Sequence, residues 1–402
     1  MRVLQSGSVT QFSAFSGAAT TKVAFISPSF PPFLCGIGDY LAGLTHHLAA
    51  TGIATAVLTS RSSPPAMGVH PIMPPRWTLA NLGPIFQAVE RLQPDLLHLQ
   101  YPTAGYRPGV VAALPWLLKR RFPHLPLCLT LHEWQHERWR SKLEAACAAG
   151  VTDALFWGRP SDVVEFRRWA GGLRQWEAMP TALTTIPGSI APTTAAAGAA
   201  IRRELGLAAD DLLLVFFGFV RPDKGVDVLL RAFATLCEEM PNLHLALCAD
   251  FEAQHQASAA TLQYREQLRP LVTEVKQRTG RLHHLGFVRD DRRLSAILHA
   301  SDLGVLPFRN GVYANSTVLM AMLAHHLPVV TTAAALLPEL AAALAFTAAN
   351  DDEGLVQTLR RLLTQPHERA QLRQAAAQWH AGHGWPQAVA EHRLVYTQLG
   401  VE

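Results

Sequence analysis

Short runs of apolar residues alternate along the chain with longer segments whose apolar positions recur every three or four residues. The first run, KVAFISP, starts at Lys22 and is typical of a buried parallel strand. The segment after it places Tyr40, Leu44 and Leu48 on one face of a helix. Further strands are predicted at 53–59, 96–100, 125–131, 154–157 and 182–186. Strands that alternate with helices indicate βαβ units and a parallel sheet.

The alternation stops at 188–200, where GSIAPTTAAAGAA is small, uncharged and typical of a linker. It then resumes with a strand at 212–219 and a helix at 226–236. Later strands are predicted at 243–248, 282–285, 303–306, 329–331 and 344–347, with a helix at 385–399. The pattern predicts an α/β protein with two doubly wound, Rossmann-like parallel-sheet domains. In such domains ligands bind at the carboxyl ends of the strands, so we expect them in the cleft between the two.

Composition narrows the function classes. Apolar residues make up 49% of the 402 residues and charged residues 16%, which excludes intrinsic disorder. The net charge of +4 comes without a Lys/Arg block, so no nucleic-acid partner is expected. The longest apolar run has 9 residues, at 212–220, whereas a membrane span needs ~20.

Five cysteines without a CxxC pair indicate neither a zinc ribbon nor a disulfide framework. Residues 1–20 make a poor signal peptide and are interpreted as a loose N-terminal extension. We therefore expect a reducing, cytoplasmic location.

The first candidate binding loop is CGIGDY, between a strand and a helix. Gly36 and Gly38 allow close approach of the backbone to an anion, and the helix N-terminus supplies free N–H groups. Asp39 would either cap the helix or face a sugar hydroxyl. A tight strand–helix turn without a ligand is the structural alternative, because the third glycine of a dinucleotide motif is missing.

The second candidate loop is GFVRPDKG at 218–225, again between a strand and a helix. Arg221 and Lys224 are two cations beside a helix N-terminus, an arrangement that suits a diphosphate. The alternative is a solvated polar turn. A third loop follows the strand at 303–306, where Asn315 or Ser316 is a natural N-cap residue. The neighbouring N–H groups of this loop could hold a second phosphate.

Polar and aromatic residues also follow two strands of the first domain. His132 and Glu133 end the run at 125–131, within reach of a bound substrate. His98, Tyr101 and Tyr106 in HLQYPTAGY form a second cluster that could line an acceptor pocket. The acidic pairs at 210–211, 290–291 and 351–352 are expected to be loop or cap residues, and no metal site is predicted from them.

Six segments together resemble glycosyltransferase family 4, the glycosyl transferases group 1, from about Val23 to Tyr396. They are PPFLCGIGDYLAGLTHHL, LTLHEW, FFGFVRPDKGVDVLLRAF, LGFVRDDRRLSAILHASDLGVLPF, LAHHLPVVTT and WPQAVAEHRLVY. The resemblance implies the GT-B architecture with an acceptor-side domain at 21–190 and a donor domain at 191–375. It also implies that 376–402 crosses back to the first domain.

The resemblance also implies roles for single residues. By position, Arg221 and Lys224 match the residues that hold the donor diphosphate, above the glycine loop of Gly36 and Gly38. His132 matches a histidine beside the donor sugar. Base recognition is expected near Gly286, Phe287 and Val288, and phosphate contacts near Asn315, Ser316 and Thr317. The activity implied is metal-independent, retaining transfer from a UDP- or GDP-linked sugar without any other cofactor.

One departure from the family pattern concerns two glutamates that are normally eight positions apart. Val312 and Met320 stand at those positions here. This motivates a rival hypothesis, a catalytically idle homologue that binds a sugar nucleotide. The retained RPDK segment argues against it, since two cations without a ligand would repel each other.

A third hypothesis is a nucleotide-sugar epimerase, for which Asp39 and Glu133 would have to supply the acid and base. The expected partners of the leading hypothesis are a nucleotide sugar and an acceptor (a glycan, a lipid-linked or a small molecule). The sequence does not indicate the oligomeric state. Aromatic residues of the first domain are compatible with a peripheral contact with a membrane. These residues are Phe30, Phe33, Tyr101, Tyr106, Trp134 and Trp139.

Overall fold

The computed structural model describes most of the chain, in ten stretches. They are residues 21–33, 35–103, 105–134, 137–170, 179–188, 190–249, 251, 258–313, 316–332 and 338–401. The predicted extension at 1–20 and the candidate residue Asn315 lie outside this part. The described chain divides into two compact units. The N-terminal unit comprises the described residues up to Thr185 together with those from Trp385 on, and the central unit is Ile186–Gly384.

The N-terminal unit is built on a seven-stranded sheet in the order β3-β2-β1-β4-β5-β6-β7, with every neighbouring pair parallel. Its strands are β1 Thr21–Ile26, β2 Ile53–Ser60, β3 Val69–Met73, β4 Leu96–Tyr101, β5 Leu127–Leu131, β6 Ala154–Trp157 and β7 Thr181–Leu183. Its helices are α1 Gly36–Ala50, α2 Gly83–Leu92, α3 Val110–Arg121, α4 Trp139–Ala149, α5 Pro160–Ala170 and the C-terminal helix Trp385–Gln398.

Side chains alternate between the two faces of this sheet because the period of a strand is two residues. Leu97, Leu99 and the β5 leucines belong to one apolar cluster with the residues of α2 to α5. The intervening residue His98 instead contacts Tyr396 of the C-terminal helix, so this helix covers the opposite face. That face carries unusual polar residues in mid-strand.

The central unit contains a six-stranded parallel sheet in the order β10-β9-β8-β11-β12-β13. Its strands are β8 Leu212–Phe217, β9 Leu243–Cys248, β10 Leu282–His284, β11 Leu303–Leu306, β12 Val329–Thr332 and β13 Leu344–Thr347. Its helices are α6 Ala195–Glu204, α7 Val226–Glu239, α8 Ala259–Thr279, α9 Asp291–Ala300, α10 Thr317–Ala324, α11 Pro338–Ala342, α12 Asp352–Thr364 and α13 Pro366–Gly382. The C-terminal helix Trp385–Gln398 is therefore α14. Two parallel α/β sheets confirm the predicted fold class.

The boundaries between the units differ from the predicted ones at 190 and 375. The chain leaves the N-terminal unit after Thr185 and returns to it at Trp385. The reason is that α13 packs in the central unit, where Ala376 and Trp379 belong to the hydrophobic core. By contrast, α14 packs against α1 and β7 of the N-terminal unit, so the predicted final segment 376–402 contains residues of helices in both units.

Each sheet has one point where the strand order reverses, between β1 and β4 and between β8 and β11. In open α/β sheets the loops that follow the strands at such a point diverge and leave room for a ligand. Three of the predicted binding segments follow these strands: 35–39, which enters α1, after β1, 218–225 after β8 and 307–316 after β11. In the described part of the chain no helix is long and apolar enough to span a membrane.

Candidate functional site

The RPDK segment forms a tight turn at the carboxyl end of β8. Pro222–Lys224 is a single 3-10 turn, closed by a hydrogen bond from the Lys224 N–H to the Arg221 carbonyl at 3.0 Å. Gly225 follows with φ +64°, and a Cβ placed there would lie 2.1 Å from the Pro307 carbonyl oxygen. Only glycine fits this position, so the loops after β8 and β11 touch backbone to backbone.

Three charged side chains meet in this turn. The Arg221 guanidinium donates from Nε and Nη2 to both Asp223 oxygens, at 2.9 and 2.7 Å. The Lys224 ammonium lies 3.6 Å from the Asp223 carboxylate and 3.8 Å from the centre of the Phe308 ring. Burial would raise the pKa of Asp223, but Arg221 and Lys224 outweigh it and hold the pKa below its usual range. The prediction that Arg221 and Lys224 would repel each other without a ligand is therefore wrong, because the Asp223 carboxylate lies close to both of them.

The loop after β11 supports the turn through Arg309. Its backbone N–H donates to the Asp223 carbonyl at 2.9 Å, and its Nε donates to the Pro222 carbonyl at 2.8 Å. Its Nη2 lies 2.8 Å from both oxygens of Asp227, in the first turn of α7. Arg309 was not among the predicted site residues, and its place in a loop after a strand is the one feature of the sequence that points to it.

Ser316 is the N-cap residue of α10, and its hydroxyl accepts from the Leu319 N–H at 3.4 Å. The predicted cap is thus confirmed for Ser316. Thr317 is the first helical residue, and its side chain is half-buried. Free N–H groups at a helix N-terminus favour anions, so this end of α10 can hold a phosphate.

Val312 and Met320 replace the family glutamates with buried apolar side chains. Val312 is fully buried and Met320 is 4% exposed, and both belong to the core of the central unit. A carboxylate at either position would be removed from water without a described partner. Whatever chemistry this chain performs is therefore done without those two groups.

The predicted base-recognition residues follow β10. The Phe287 ring stacks on Phe219 with centroids 5.7 Å apart and planes 8° apart. Val288 is half-buried and packs against the core of the central unit. Phe219 belongs to the same loop as Arg221, so an apolar platform and the cationic turn share one edge of the sheet.

The glycine segment predicted as a loop is instead the first turn of α1. The helix begins at Gly36 with Cys35 as its N-cap residue, so Asp39 lies in the first turn rather than at the cap. A Cβ on Gly38 would lie 3.2 Å from the Phe30 Cα, tighter than an ordinary contact. Gly38 thus allows the loop at 27–33 to pack against the helix, a structural role that is compatible with anion binding.

His132 directly follows β5 and is buried. Its Nε2 donates to the Gln100 side-chain oxygen at 2.8 Å, and its ring meets Tyr40 edge-on with centroids 5.4 Å apart. Burial, with a smaller contribution from His392, lowers the pKa of His132 to about 3. The ring is neutral near pH 7, so it can orient a substrate by hydrogen bonding but holds no positive charge there.

The other predicted acceptor-side residues lie in different environments. His98 is fully buried between Tyr396 and Thr130, at 2.9 and 2.7 Å, so the prediction that it lines a pocket is wrong. Tyr101 is 7% exposed and belongs to the core on the α2–α5 side, and Tyr106 packs against that core. Glu133 is 44% exposed and lies 3.8 Å from Arg159. A contact of Tyr101, Tyr106 or Glu133 with an acceptor stays a prediction.

The acidic pairs serve as caps and loop anchors, as expected. Asp290 and Asp351 cap α9 and α12 through their side chains. Asp211 accepts from the Ala208 N–H at 2.6 Å. Within the described stretches no group of three or more His, Cys, Asp or Glu is arranged to hold a metal ion.

Similarity to known proteins extends over both units. The family model for Glycosyltransferase Family 4 matches residues 35–211, and that for Glycosyl transferases group 1 matches residues 211–365. A D-inositol 3-phosphate glycosyltransferase from Thermobispora bispora is 26% identical over 246 residues, which cover 53% of this chain and 55% of the relative. The chain thus aligns with about half the length of this curated relative.

Solved structures share the fold over nearly the full length. The sucrose-phosphate synthase of Thermosynechococcus elongatus is 18% identical with a TM-score of 0.70, covering 94% of this chain and 99% of that one. Anabaena HepE in complex with UDP is 15% identical with a TM-score of 0.67, covering 94% and 100%. Between them the two family models match residues 35–365, and the chain belongs to glycosyltransferase family 4, with the GT-B fold.

Proposed function

We propose that this protein transfers a sugar from a nucleotide-diphosphate sugar to an acceptor, as a hexosyltransferase-type enzyme. The observation that carries the proposal is the edge of the central sheet where β8 and β11 end. Arg221, Lys224 and the α10 N-terminus at Ser316 all follow strands that meet there. The UDP bound by HepE is the kind of ligand that this set of donors suits.

The proposed mechanism concentrates on the leaving group. Negative charge builds on the diphosphate as the glycosidic bond breaks, and cations preorganised beside it stabilise the transition state more than the ground state. Arg221 and Lys224 supply those cations. Removing either should raise the barrier by about 2–4 kcal/mol, as the loss of one oxyanion-hole donor does.

We propose further that the reaction retains the anomeric configuration and needs no metal ion. The leaving phosphate oxygen would accept the proton of the acceptor hydroxyl on the face that it leaves. Buried, neutral His132 would orient the sugar, and Gly36 and Gly38 would contact the diphosphate, as the family resemblance implies. The anomeric proton coupling of the product reports retention, and unchanged turnover in EDTA reports metal independence.

Nucleotide binding is the primary test. Calorimetry with UDP, GDP and ADP is made on the wild type and on the double variant Arg221→Ala/Lys224→Ala. One nucleotide should bind the wild type and lose at least tenfold in affinity with the double variant. The control Arg360→Ala/Arg361→Ala removes two cations of α12 that pair with Glu239 and Glu368. Equal loss in both double variants would reject the placement of the diphosphate.

A catalytically idle homologue is the second candidate, and the burial of Val312 and Met320 favours it. Such a protein binds the nucleotide sugar in the same place but neither transfers nor hydrolyses the sugar. Tight binding without any release of free nucleotide, over a panel of sugars and acceptors, would replace the enzyme hypothesis by this one.

A peripheral contact with an anionic membrane surface is proposed for the helices α3 to α5. Trp116, Trp139 and Trp169 are 58%, 69% and 47% exposed, and Leu143 of the same layer is 47% exposed. Residues 107–170 contain ten Lys or Arg against six Asp or Glu, so the surroundings are basic. Exposed indole rings among arginines suit the headgroup region of anionic lipids.

Vesicle sedimentation tests this contact. The wild type should bind vesicles of phosphatidylcholine with phosphatidylglycerol, and Trp139→Ala/Leu143→Ala should bind them less. The control Met67→Ala/Leu394→Ala removes two side chains of the same unit that are 81% and 61% exposed. The proposal would be rejected if both double variants bound the anionic vesicles equally. It would also be rejected if the wild type bound neutral vesicles as well as anionic ones.

A further inference from the structure

We propose that Arg309 is a positioning residue that holds the Pro222–Lys224 turn in the geometry that binds the donor diphosphate. The inference rests on the proposed function, because it assumes that Arg221 and Lys224 contact the donor. Arg309 itself belongs to the loop after β11 and is separated from the turn by more than eighty residues of sequence. Its role is exerted through the backbone of the turn.

The turn depends on Arg309 for two of its three successive carbonyl bonds. The Arg221 carbonyl accepts from the Lys224 N–H within the turn. The Pro222 carbonyl accepts from Arg309 Nε at 2.8 Å, and the Asp223 carbonyl accepts from the Arg309 backbone N–H at 2.9 Å. A single 3-10 turn has few internal hydrogen bonds. The two hydrogen bonds from Arg309 therefore fix the backbone positions from which the side chains of residues 221 and 224 extend.

The end of the Arg309 guanidinium away from the turn is also held by hydrogen bonds. Nη2 lies 2.8 Å from both oxygens of Asp227, and Nη1 donates to the Asn350 side-chain oxygen. Asp227 also accepts from the Tyr264 hydroxyl at 2.6 Å. The planar guanidinium can satisfy the Pro222 carbonyl and the carboxylate at once, whereas a lysine ammonium cannot reach both.

Arg309 thus connects three segments around the candidate site: the 222–224 turn, the first turn of α7 and the loop before α12. Lys224 is guided from the same loop, since its ammonium lies over the ring of Phe308. Holding donors in place before the ligand arrives lowers the ordering cost of binding. The expected signature of Arg309 is therefore on affinity and turn mobility, beyond any effect on stability.

Arg231 is a matched control on the same carboxylate. Its Nη2 donates to Asp227 at 3.1 Å and its side chain also pairs with Asp352, but the carbonyl bonds of the turn come from Arg309. Arg231→Lys and Arg309→Lys both keep the charge and both disturb the Asp227 pairing. Only Arg309→Lys also removes the Nε bond to the turn.

The experiment compares the two lysine variants in the full chain. Hydrogen exchange of the peptide that spans the turn is measured without ligand, and calorimetry is run with UDP, GDP and ADP. Arg309→Lys should speed exchange in the turn and weaken binding at least tenfold, while Arg231→Lys stays within twofold of the wild type. Arg309→Gln repeats the test if Arg309→Lys does not unfold cooperatively.

The outcomes separate this inference from the proposed function. If the double variant of Arg221 and Lys224 loses binding but both lysine variants bind equally and exchange equally, the positioning role is overturned and the diphosphate site stands. If no nucleotide binds the wild type, or the double variant binds as the wild type does, the proposed function fails and this inference fails with it.

Discussion

Asp223 engages both the Nε and the Nη2 of Arg221, at 2.9 and 2.7 Å, within the turn where Arg221 is proposed to hold a diphosphate. One two-donor edge of the Arg221 guanidinium, Nε with Nη2, is thus occupied by an internal carboxylate. A bound diphosphate would have to compete with it. The turn has a built-in counter-ion that keeps Arg221 and Lys224 compatible with each other when no ligand is bound.

Replacing Asp223 by Asn should tighten nucleotide diphosphate binding. The charge competition disappears, and an ion pair this exposed is worth up to about 1 kcal/mol, so the gain is about fivefold. Calorimetry with the nucleotide that the wild type prefers measures it. Glu204→Gln, which breaks the exposed pair with Arg293, is the control and should leave affinity unchanged. Weaker binding by Asp223→Asn would show that the carboxylate orients Arg221 rather than competes with the ligand.

Gly225→Ala should destabilise the central unit much more than Gly280→Ala. Both glycines have positive φ, +64° and +65°, so each alanine carries backbone strain of about 1–2 kcal/mol. The Cβ at 225 also meets the Pro307 carbonyl at 2.1 Å, whereas nothing lies within 4 Å of the Cβ at 280. Urea unfolding of both variants measures the difference. Equal losses would mean that the loop after β11 moves away at little cost.

Acid should destabilise the protein through His132. Its pKa falls to about 3 in the folded state from an ordinary value of 6.5, mainly because the ring is buried. The unfolded chain therefore takes up a proton that the folded chain refuses. The stabilising contribution is complete above about pH 6.5 and is lost progressively as the pH falls towards 3.

The variant His132→Gln isolates this contribution. Between about pH 6 and pH 4 its unfolding free energy should fall less steeply than that of the wild type, by about 1.4 kcal/mol per pH unit. His124→Gln, at an exposed histidine, is the control and should keep the wild-type slope. Urea unfolding at several pH values checks the prediction, which a parallel pair of curves for His132→Gln and the wild type would contradict.

Placing a glutamate at Met320, where the family normally carries one, should lower the free energy of unfolding. Met320 is 4% exposed within the core, so Met320→Glu should cost at least about 3 kcal/mol at neutral pH. The loss should shrink as the pH falls and the carboxyl becomes neutral. Thermal unfolding at two pH values, with Met320→Gln as the uncharged control, measures it. A Glu variant as stable as the Gln variant at neutral pH would show that the position can open to water.

Much of the fold was predictable because it follows from local patterns. Apolar runs indicate the strands, and the sequence alone predicts Ser316, Asp290 and Asp351 as cap or loop residues, which is what they are. Strand β3 was missed, since VHPIM contains a proline and only an edge strand accommodates one. The boundary predicted at 375 was also wrong, because α13 packs on the preceding elements of the central unit and the return to the N-terminal unit begins only at Trp385.

Some residues of the candidate site were likewise predictable from the sequence, and others were not. Arg221, Lys224 and His132 were predicted from the loops that follow strands, because a strand and its following loop are neighbours in sequence. The burial of His98 could not be predicted from the sequence. It results from the packing of α14 on that face of the sheet, which places Tyr396 against the His98 ring. Gln100, which orients His132, was missed for the same reason.

The sequence by itself determined the alternation of elements, the class of fold and the loops that carry the chemistry, since each depends on residues a few positions apart. Only the tertiary structure decided that Arg309 supports the turn at 222–224 and that Val312 and Met320 are enclosed by the core. Both depend on which strands lie side by side. Strand order brings the loops after β8 and β11 together across some eighty residues, a proximity that no local pattern of hydrophobic and polar positions encodes.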